Sequence, residues 1–250
     1  FITHLRDEKG LRNSTIGKQL GFLKWFLKWS ANNGYHKNMA YLSFKPKLKT
    51  TEKRIIFLTW DELMTVYNFP IPESKKYLDR VRDVFCFCCF TSLRYSDVYN
   101  LKRFDIKNGA LHITTVKTAD SLTIDLNKYS QAILDKYDGV PFEDNKALPV
   151  ISNQKMNDYI KELGQLCGLD QPETVTYYVG NERVDEVYPK YELMGTHTGR
   201  RTFISNAIMM GIPPQVVMKW TGHSDYKAMK PYIAIADSAK AEAMKLFNEK

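Results

Sequence analysis

Between residues 16 and about 32 apolar side chains recur at helical spacing: Leu20, Leu23, Phe26 and Leu27, with Trp25 and Trp29 beside them. Asn13-Ser14-Thr15 stands where an N-cap is needed and predicts the start of that helix. Residues 1–5 read as a helix interior with no initiator Met, so an N-terminal portion is expected to be missing. Thr59, with Glu62 three residues on, has the pattern of a capping box and predicts a fresh helix. Residues 76–91 predict a strongly apolar helix. Residues 111–116 and 122–126 are β-prone and are joined by residues 117–121, which predicts a hairpin with a five-residue turn. A second hairpin is predicted over residues 174–193, turning at Gly180-Asn181. Asp237 or Ser238 is placed to cap a last helix, residues 239–247, striped by Ala243, Met244 and Phe247. Helices, small hairpins, then helices, without strand–helix–strand alternation, predict a mainly α chain with small β-hairpins. No internal repeat or low-complexity segment interrupts it.

Charge adds a division of the chain. Residues 44–54 hold Lys45, Lys47, Lys49, Lys53 and Arg54 with one Pro and no periodicity, the pattern of an extended basic linker. The expected organisation is a helical module at 1–44, a linker at 45–56 and a larger domain at 57–250. Arg12, Lys18, Lys24 and Lys28 interleave with the first apolar stripe. Singly they read as a solvated helix face; together they suggest a DNA-contacting module. The whole chain holds 36 Lys and Arg against 28 Asp and Glu, a net charge of +8. That balance favours a polyanionic partner, because phosphates attract Lys and Arg whatever the base sequence. A protein that is merely basic has the same balance.

Cys86, Cys88 and Cys89 lie within an apolar run and read as small buried hydrophobes. With Cys167 they match neither zinc spacing nor a secreted disulfide framework, so a reducing, cytoplasmic compartment is expected. No apolar run reaches membrane-spanning length, and no signal peptide is expected.

The segment Gly195-Thr196-His197-Thr198-Gly199-Arg200-Arg201 carries candidate chemistry. His197 and Arg200 are three apart, so at a helix start they project from one side. That side can hold a phosphate: the guanidinium fork engages two oxygens and the imidazole adds a hydrogen bond or proton. Downstream come Thr221-Gly222-His223 and, nine residues after His223, Tyr232; upstream comes Ser92-Leu93-Arg94-Tyr95-Ser96-Asp97.

The ordered set Arg94, Lys117, His197-x-x-Arg200, Gly222-His223 and Tyr232 resembles the phage integrase, or tyrosine recombinase, family. The motifs run over residues 58–235, and the N-terminal helices resemble that family's core-binding domain. Ser92 replaces a usual Gly and Thr221 a frequent Leu; neither position is expected to take part in the chemistry. The second hairpin resembles an elaboration in integrases of conjugative and other mobile elements of Bacteroides-type bacteria. The resemblance implies that Tyr232 attacks DNA to form a 3′-phosphotyrosine, storing the bond energy so that rejoining needs no ATP. Arg94 and Arg200 would clamp the non-bridging oxygens, Lys117 would protonate the leaving 5′ oxygen, and His197 and His223 would orient the phosphate and assist proton transfer.

No cofactor is implied, and no metal: neither histidine has a third ligand at a helical offset. The implied partners are double-stranded DNA attachment sites, three further copies of the chain in a homotetramer on DNA, and accessory DNA-bending proteins. The last helix would pack on a neighbouring copy or on its own. Two other readings use the same residues: a catalytically idle DNA-binding accessory protein of this fold, and a type IB topoisomerase-like nicking and closing enzyme.

Overall fold

In the computed structural model, residues 1–52 and 54–245 are described, with 238–245 by backbone alone. Lys53 and Phe247 therefore lie outside the described residues, as do the side chains of Ala243 and Met244. Backbone contacts divide the chain into two units, residues 1–54 with 172–188, and residues 55–171 with those from 189 onward. The second hairpin, assigned from sequence to the larger domain, groups with the first unit.

The first unit holds a short π-helical turn, His4–Glu8, then α1, Asn13–Asn32. A 3₁₀ turn, Ala40–Leu42, follows, and then the second hairpin, which turns at Gly180-Asn181 between Pro172–Val179 and Glu182–Pro189. Residues 190–193, expected in that hairpin, form a 3₁₀ turn instead. Arg12 is the N-cap of α1, and no side chain caps it. Asn13 does not cap because its amide is used elsewhere: it donates to the Lys49 and Gly180 carbonyls at 2.9 and 2.8 Å and accepts from the Gly180 N–H. The aromatic stripe does not face inward. Phe22, Trp25, Phe26 and Trp29 are exposed, while Asn13, Ile16 and Ser30 are the buried residues of α1.

The second unit begins with α2, Trp60–Asn68, whose start is the expected capping box: the Glu62 N–H donates to Thr59 Oγ1, and the Thr59 N–H to Glu62 Oε2 at 2.7 Å. At its centre is α3, Tyr77–Thr91, buried on every side from Val84 to Thr91. A helix apolar all round can only be a core helix, and α3 packs against α2, against α5 (Lys128–Lys136), α6 (Asn153–Leu166) and α7 (Thr196–Met209). Gly199 is where α7 comes closest: a Cβ built there would stand 2.8 Å from Cys88 Cβ. The entry segment is tied to α7 by the Leu58 N–H donating to Thr202 Oγ1 and by Asn206 donating to the Leu58 carbonyl.

Three strands complete this unit in the order β1 (Ile106–Lys107), β2 (Ala110–Thr114), β3 (Ser121–Asp125), all antiparallel. β1 was not expected, although Asn108-Gly109 at its turn, both with positive φ, is a strong hairpin signal. Leu111, Ile113, Leu122 and Ile124 face the core and His112 and Thr123 face out, the two-residue period of a half-buried sheet. The remaining helices are α4 (Tyr95–Asn100), α8 (Pro214–Thr221) and the last, α9 (Lys230–Lys245). α9 starts nine residues earlier than expected, so Asp237 and Ser238 lie inside it and Tyr232 is in its first turn. Pro231 does not prevent this, since a helix tolerates proline before its N–H groups acquire partners. Among the described residues no helix is long and apolar enough to cross a membrane.

Candidate active site

Three chain segments meet at Arg200, all within the second unit. Arg200 lies on α7 and is 3 % exposed. One guanidinium nitrogen donates to the Ser92 carbonyl at 3.1 Å, and the other donates to the Thr221 carbonyl and stands 3.5 Å from His223 Nε2. Ser92 and Thr221, read from sequence as bystanders, are thus the backbone seats of this arginine. Ser92 ends α3 in the left-handed conformation, φ 63°, which turns its carbonyl toward α7. Gly222 ends α8 the same way at φ 66° and swings His223 back over the arginine. A side chain at Gly222 would also meet Leu122 at 3.2 Å.

Arg94 leads into α4, two residues beyond Ser92. One of its terminal nitrogens is buried without a hydrogen-bond partner among the described residues. Its nearest opposite charge is Asp97, 3.9 Å away and itself buried. Asp97 also accepts from the Arg94 N–H at 3.3 Å and from the Val116 N–H at 2.9 Å. One carboxylate therefore ties Arg94 to the β2–β3 turn. The sequence reading gave Asp97 no part; its position three residues after Arg94, on the next helical turn, was the available signal.

Lys117 follows Val116 in that turn and is exposed. The turn spans 115–120, held by the Thr115 N–H donating to the Asp120 carbonyl and the Asp120 N–H to Thr115 Oγ1. Tyr232 packs beside Phe203, Met218 and Ile233 against the small core of Ile204, Ile208 and Val217.

The electrostatics describe a site with unanswered positive charge. His223 is lowered to about 4, first by burial and then by Arg200, Arg94 and His197. His197 is also lowered to about 4, by burial and then Arg201, Arg200, Arg94 and Lys117. Because His197 is exposed, solvent screens part of that effect. Arg200 is lowered to about 10 by burial and by Arg94, with Asp97 opposing. Burial raises the Tyr232 hydroxyl, while Arg201 and Arg200 pull it back down. Arg201 is therefore a second cation toward Tyr232 and His197 that the motif reading passed over. The six expected residues, Arg94, Lys117, His197, Arg200, His223 and Tyr232, share one electrostatic neighbourhood short of negative charge. Such a neighbourhood favours anionic oxygen groups. Among the described residues no group of three His, Cys, Asp or Glu is placed to hold a metal ion.

The basic residues of α1 belong to the first unit. Lys18 and Lys28 are exposed. Lys24 donates to the Phe44 carbonyl, and Arg12 stacks 3.6 Å over the Tyr177 ring and pairs with Glu186 at 3.2 Å.

Residues 56–239 match the model of the phage integrase family. Tyrosine recombinase XerC of Thermodesulfovibrio yellowstonii is 23% identical over 234 residues, which cover 90% of this chain and 72% of that protein. A lambda integrase dimer bound to a COC′ core site shares the fold with a TM-score of 0.68 at 16% identity, over 93% of this chain and 76% of that one. The Tn1549 transposon integrase in complex with circular intermediate DNA does so with a TM-score of 0.63 at 18% identity, over 97% and 82%. The matched residues enclose the whole arginine–histidine cluster and Tyr232, and the chain belongs to the phage integrase family as a site-specific tyrosine recombinase.

Proposed function

We propose that this cluster binds one DNA phosphodiester and that Tyr232 is its nucleophile. The observation that carries the reading is the convergence of Arg94, Arg200, His197 and His223 around uncompensated positive charge with a tyrosine alongside. Tyr232 Oη forms a bond to phosphorus while the bond to the 5′ oxygen breaks, leaving a 3′-phosphotyrosine. Arg94 and Arg200 neutralise the non-bridging oxygens, where charge grows in the transition state. The tyrosine proton passes toward the histidines, and Lys117 gives a proton to the departing oxygen. The placing of Arg94 supports the clamp: its half-buried guanidinium is 3.9 Å from the buried Asp97, which holds it at the site. Rejoining is the same exchange in reverse and draws on no nucleotide or metal.

The DNA partner is a pair of double-stranded attachment sites. Exchange between two duplexes cuts four strands, one tyrosine each, so the assembly on DNA is a homotetramer; accessory DNA-bending proteins act outside it. Arg12, Lys18, Lys24 and Lys28 contact the backbone phosphates. The narrower reading is an integrase of a mobile element of Bacteroides-type bacteria, drawn from the second hairpin, working in a reducing cytoplasm that suits four free cysteines. The test is Tyr232→Phe incubated with a candidate site carrying a nick near the cut. It should bind as the wild type does and trap no covalent complex on a denaturing gel; adduct at wild-type yield would exclude Tyr232.

A further inference from the structure

Thr221 is fully buried, and its hydroxyl lies 2.7 Å from His223 Nδ1 and 3.3 Å from the Met218 carbonyl. The two ends of this chain of bonds point the same way. The Met218 carbonyl only accepts, so in its bond to Thr221 the hydroxyl gives the proton. The hydroxyl oxygen is then left to accept, and Nδ1 brings the proton of the Nδ1–Thr221 bond. At the other end, a guanidinium only donates, so Arg200 needs His223 Nε2 to be a lone pair. Both ends demand the same neutral imidazole: proton on Nδ1, lone pair on Nε2. Its low pKa, from burial and neighbouring cations, leaves room for only that one proton at neutral pH.

We infer that Thr221 is a positioning residue that fixes His223 as the Nδ1–H tautomer and keeps the Nε2 lone pair turned to Arg200 at the phosphate site. This deepens the reading of His223 given above and rests on it for its catalytic consequence, though not for the tautomer itself. A leucine or valine at 221 has no group to accept from Nδ1. The ring would then be free to carry its proton on Nε2, where it opposes the Arg200 N–H and offers no lone pair to the site. Serine retains the hydroxyl and restores the order.

The experiment uses the full chain with ¹⁵N-labelled histidine and reads the tautomer of His223 from its two ring nitrogens by NMR at neutral pH, with His223→Gln to assign the signal. Wild type and Thr221→Ser should show a protonated Nδ1 and an unprotonated Nε2. Thr221→Val, which keeps the shape of the side chain, should show the proton on Nε2 or shared between the two. Covalent-complex formation on a nicked site should fall about tenfold in Thr221→Val, the equivalent of one lost hydrogen bond, and recover in Thr221→Ser. A Thr221→Val spectrum with the wild-type tautomer overturns the inference. An altered tautomer with unchanged cleavage supports it and overturns instead the part given to His223 in the reaction. Thermal melting alongside shows whether either variant is misfolded, and the serine variant then carries the test.

Discussion

Adding one methyl group at Gly199 sets two known effects against each other at the point where α7 presses on α3. The new Cβ would lie 2.8 Å from Cys88 Cβ and 3.4 Å from the Cys88 carbonyl carbon and the Cys89 nitrogen. Carbon atoms rest at about 3.5–4.0 Å, so the helices must part by about 1 Å, and the obstacle is backbone and Cβ, with no flexible side-chain end to swing away. Overpacking of this kind costs about 1–3 kcal/mol. Exchanging glycine for alanine inside a helix returns about 1 kcal/mol. Gly199→Ala should therefore be destabilised by about 1 kcal/mol in urea unfolding, a small change. The rate should suffer much more, because His197 and Arg200 flank the displaced residue, and a 1 Å misplacement of catalytic groups costs about 100-fold. Cys88→Gly removes the nearest obstacle, and the double variant should regain much of the covalent-complex yield that Gly199→Ala loses. A Gly199→Ala protein as stable and as fast as the wild type would show that this contact does not set the position of α7.

The other expectations address charge and proton transfer. Lys117→Ala should be impaired on ordinary DNA and largely rescued by a 5′-bridging phosphorothiolate, whose sulfur leaves with little protonation, whereas Arg200→Ala should lose roughly two to three orders of magnitude in rate on both substrates. Equal rescue of both would remove Lys117 as the acid. Asp97→Asn keeps an acceptor for the Val116 N–H but leaves Arg94 and Arg200 without their carboxylate, so the free protein should lose about 1–3 kcal/mol and recover part of it when DNA supplies a phosphate. Thermal unfolding with and without DNA reads this, and an equal loss in both states would contradict it. His197 and His223 titrate lower folded than unfolded, so the unfolded chain binds more protons below pH 6.5. Stability should be level above pH 6.5 and fall toward pH 4, by at most about 3 kcal/mol for His223 and less for the exposed His197. His223→Gln should flatten that slope, and an unaltered slope would mean other groups produce it.

What could be read in the sequence was what near neighbours decide. The Thr59–Glu62 cap, the inward set Leu111, Ile113, Leu122 and Ile124, and the apolar α3 each follow from spacing within one element. The order and separation of the site residues were legible for the same reason, since each motif is a short local pattern. Contacts across the chain were not. Arg200 is seated on carbonyls 108 and 21 residues away, and backbone oxygens leave no mark in side-chain identity, so Ser92 and Thr221 looked dispensable. Asp97 gains its meaning only when the β2–β3 turn folds over it. Asn13 looked like a cap because the turn that claims its amide lies 167 residues on. The exposed aromatic face of α1 shows the limit of periodicity: spacing shows that a face is apolar, and nothing about whether this chain covers it.

The same packing that makes α3 the core helix has a practical side for anyone attaching dyes or spin probes. Cys86, Cys88 and Cys89 are almost wholly enclosed, and Cys88 and the half-buried Cys167 are both pushed up to about 12 by burial. Maleimides and iodoacetamides react with the thiolate, which at neutral pH is then rarer than in an ordinary cysteine by roughly three orders of magnitude. The native thiols would stay silent during a labelling reaction of minutes. A single cysteine introduced at an exposed position could be tagged in the otherwise unaltered chain, leaving intact the four sulfurs on which the packing of α3 and its neighbours depends.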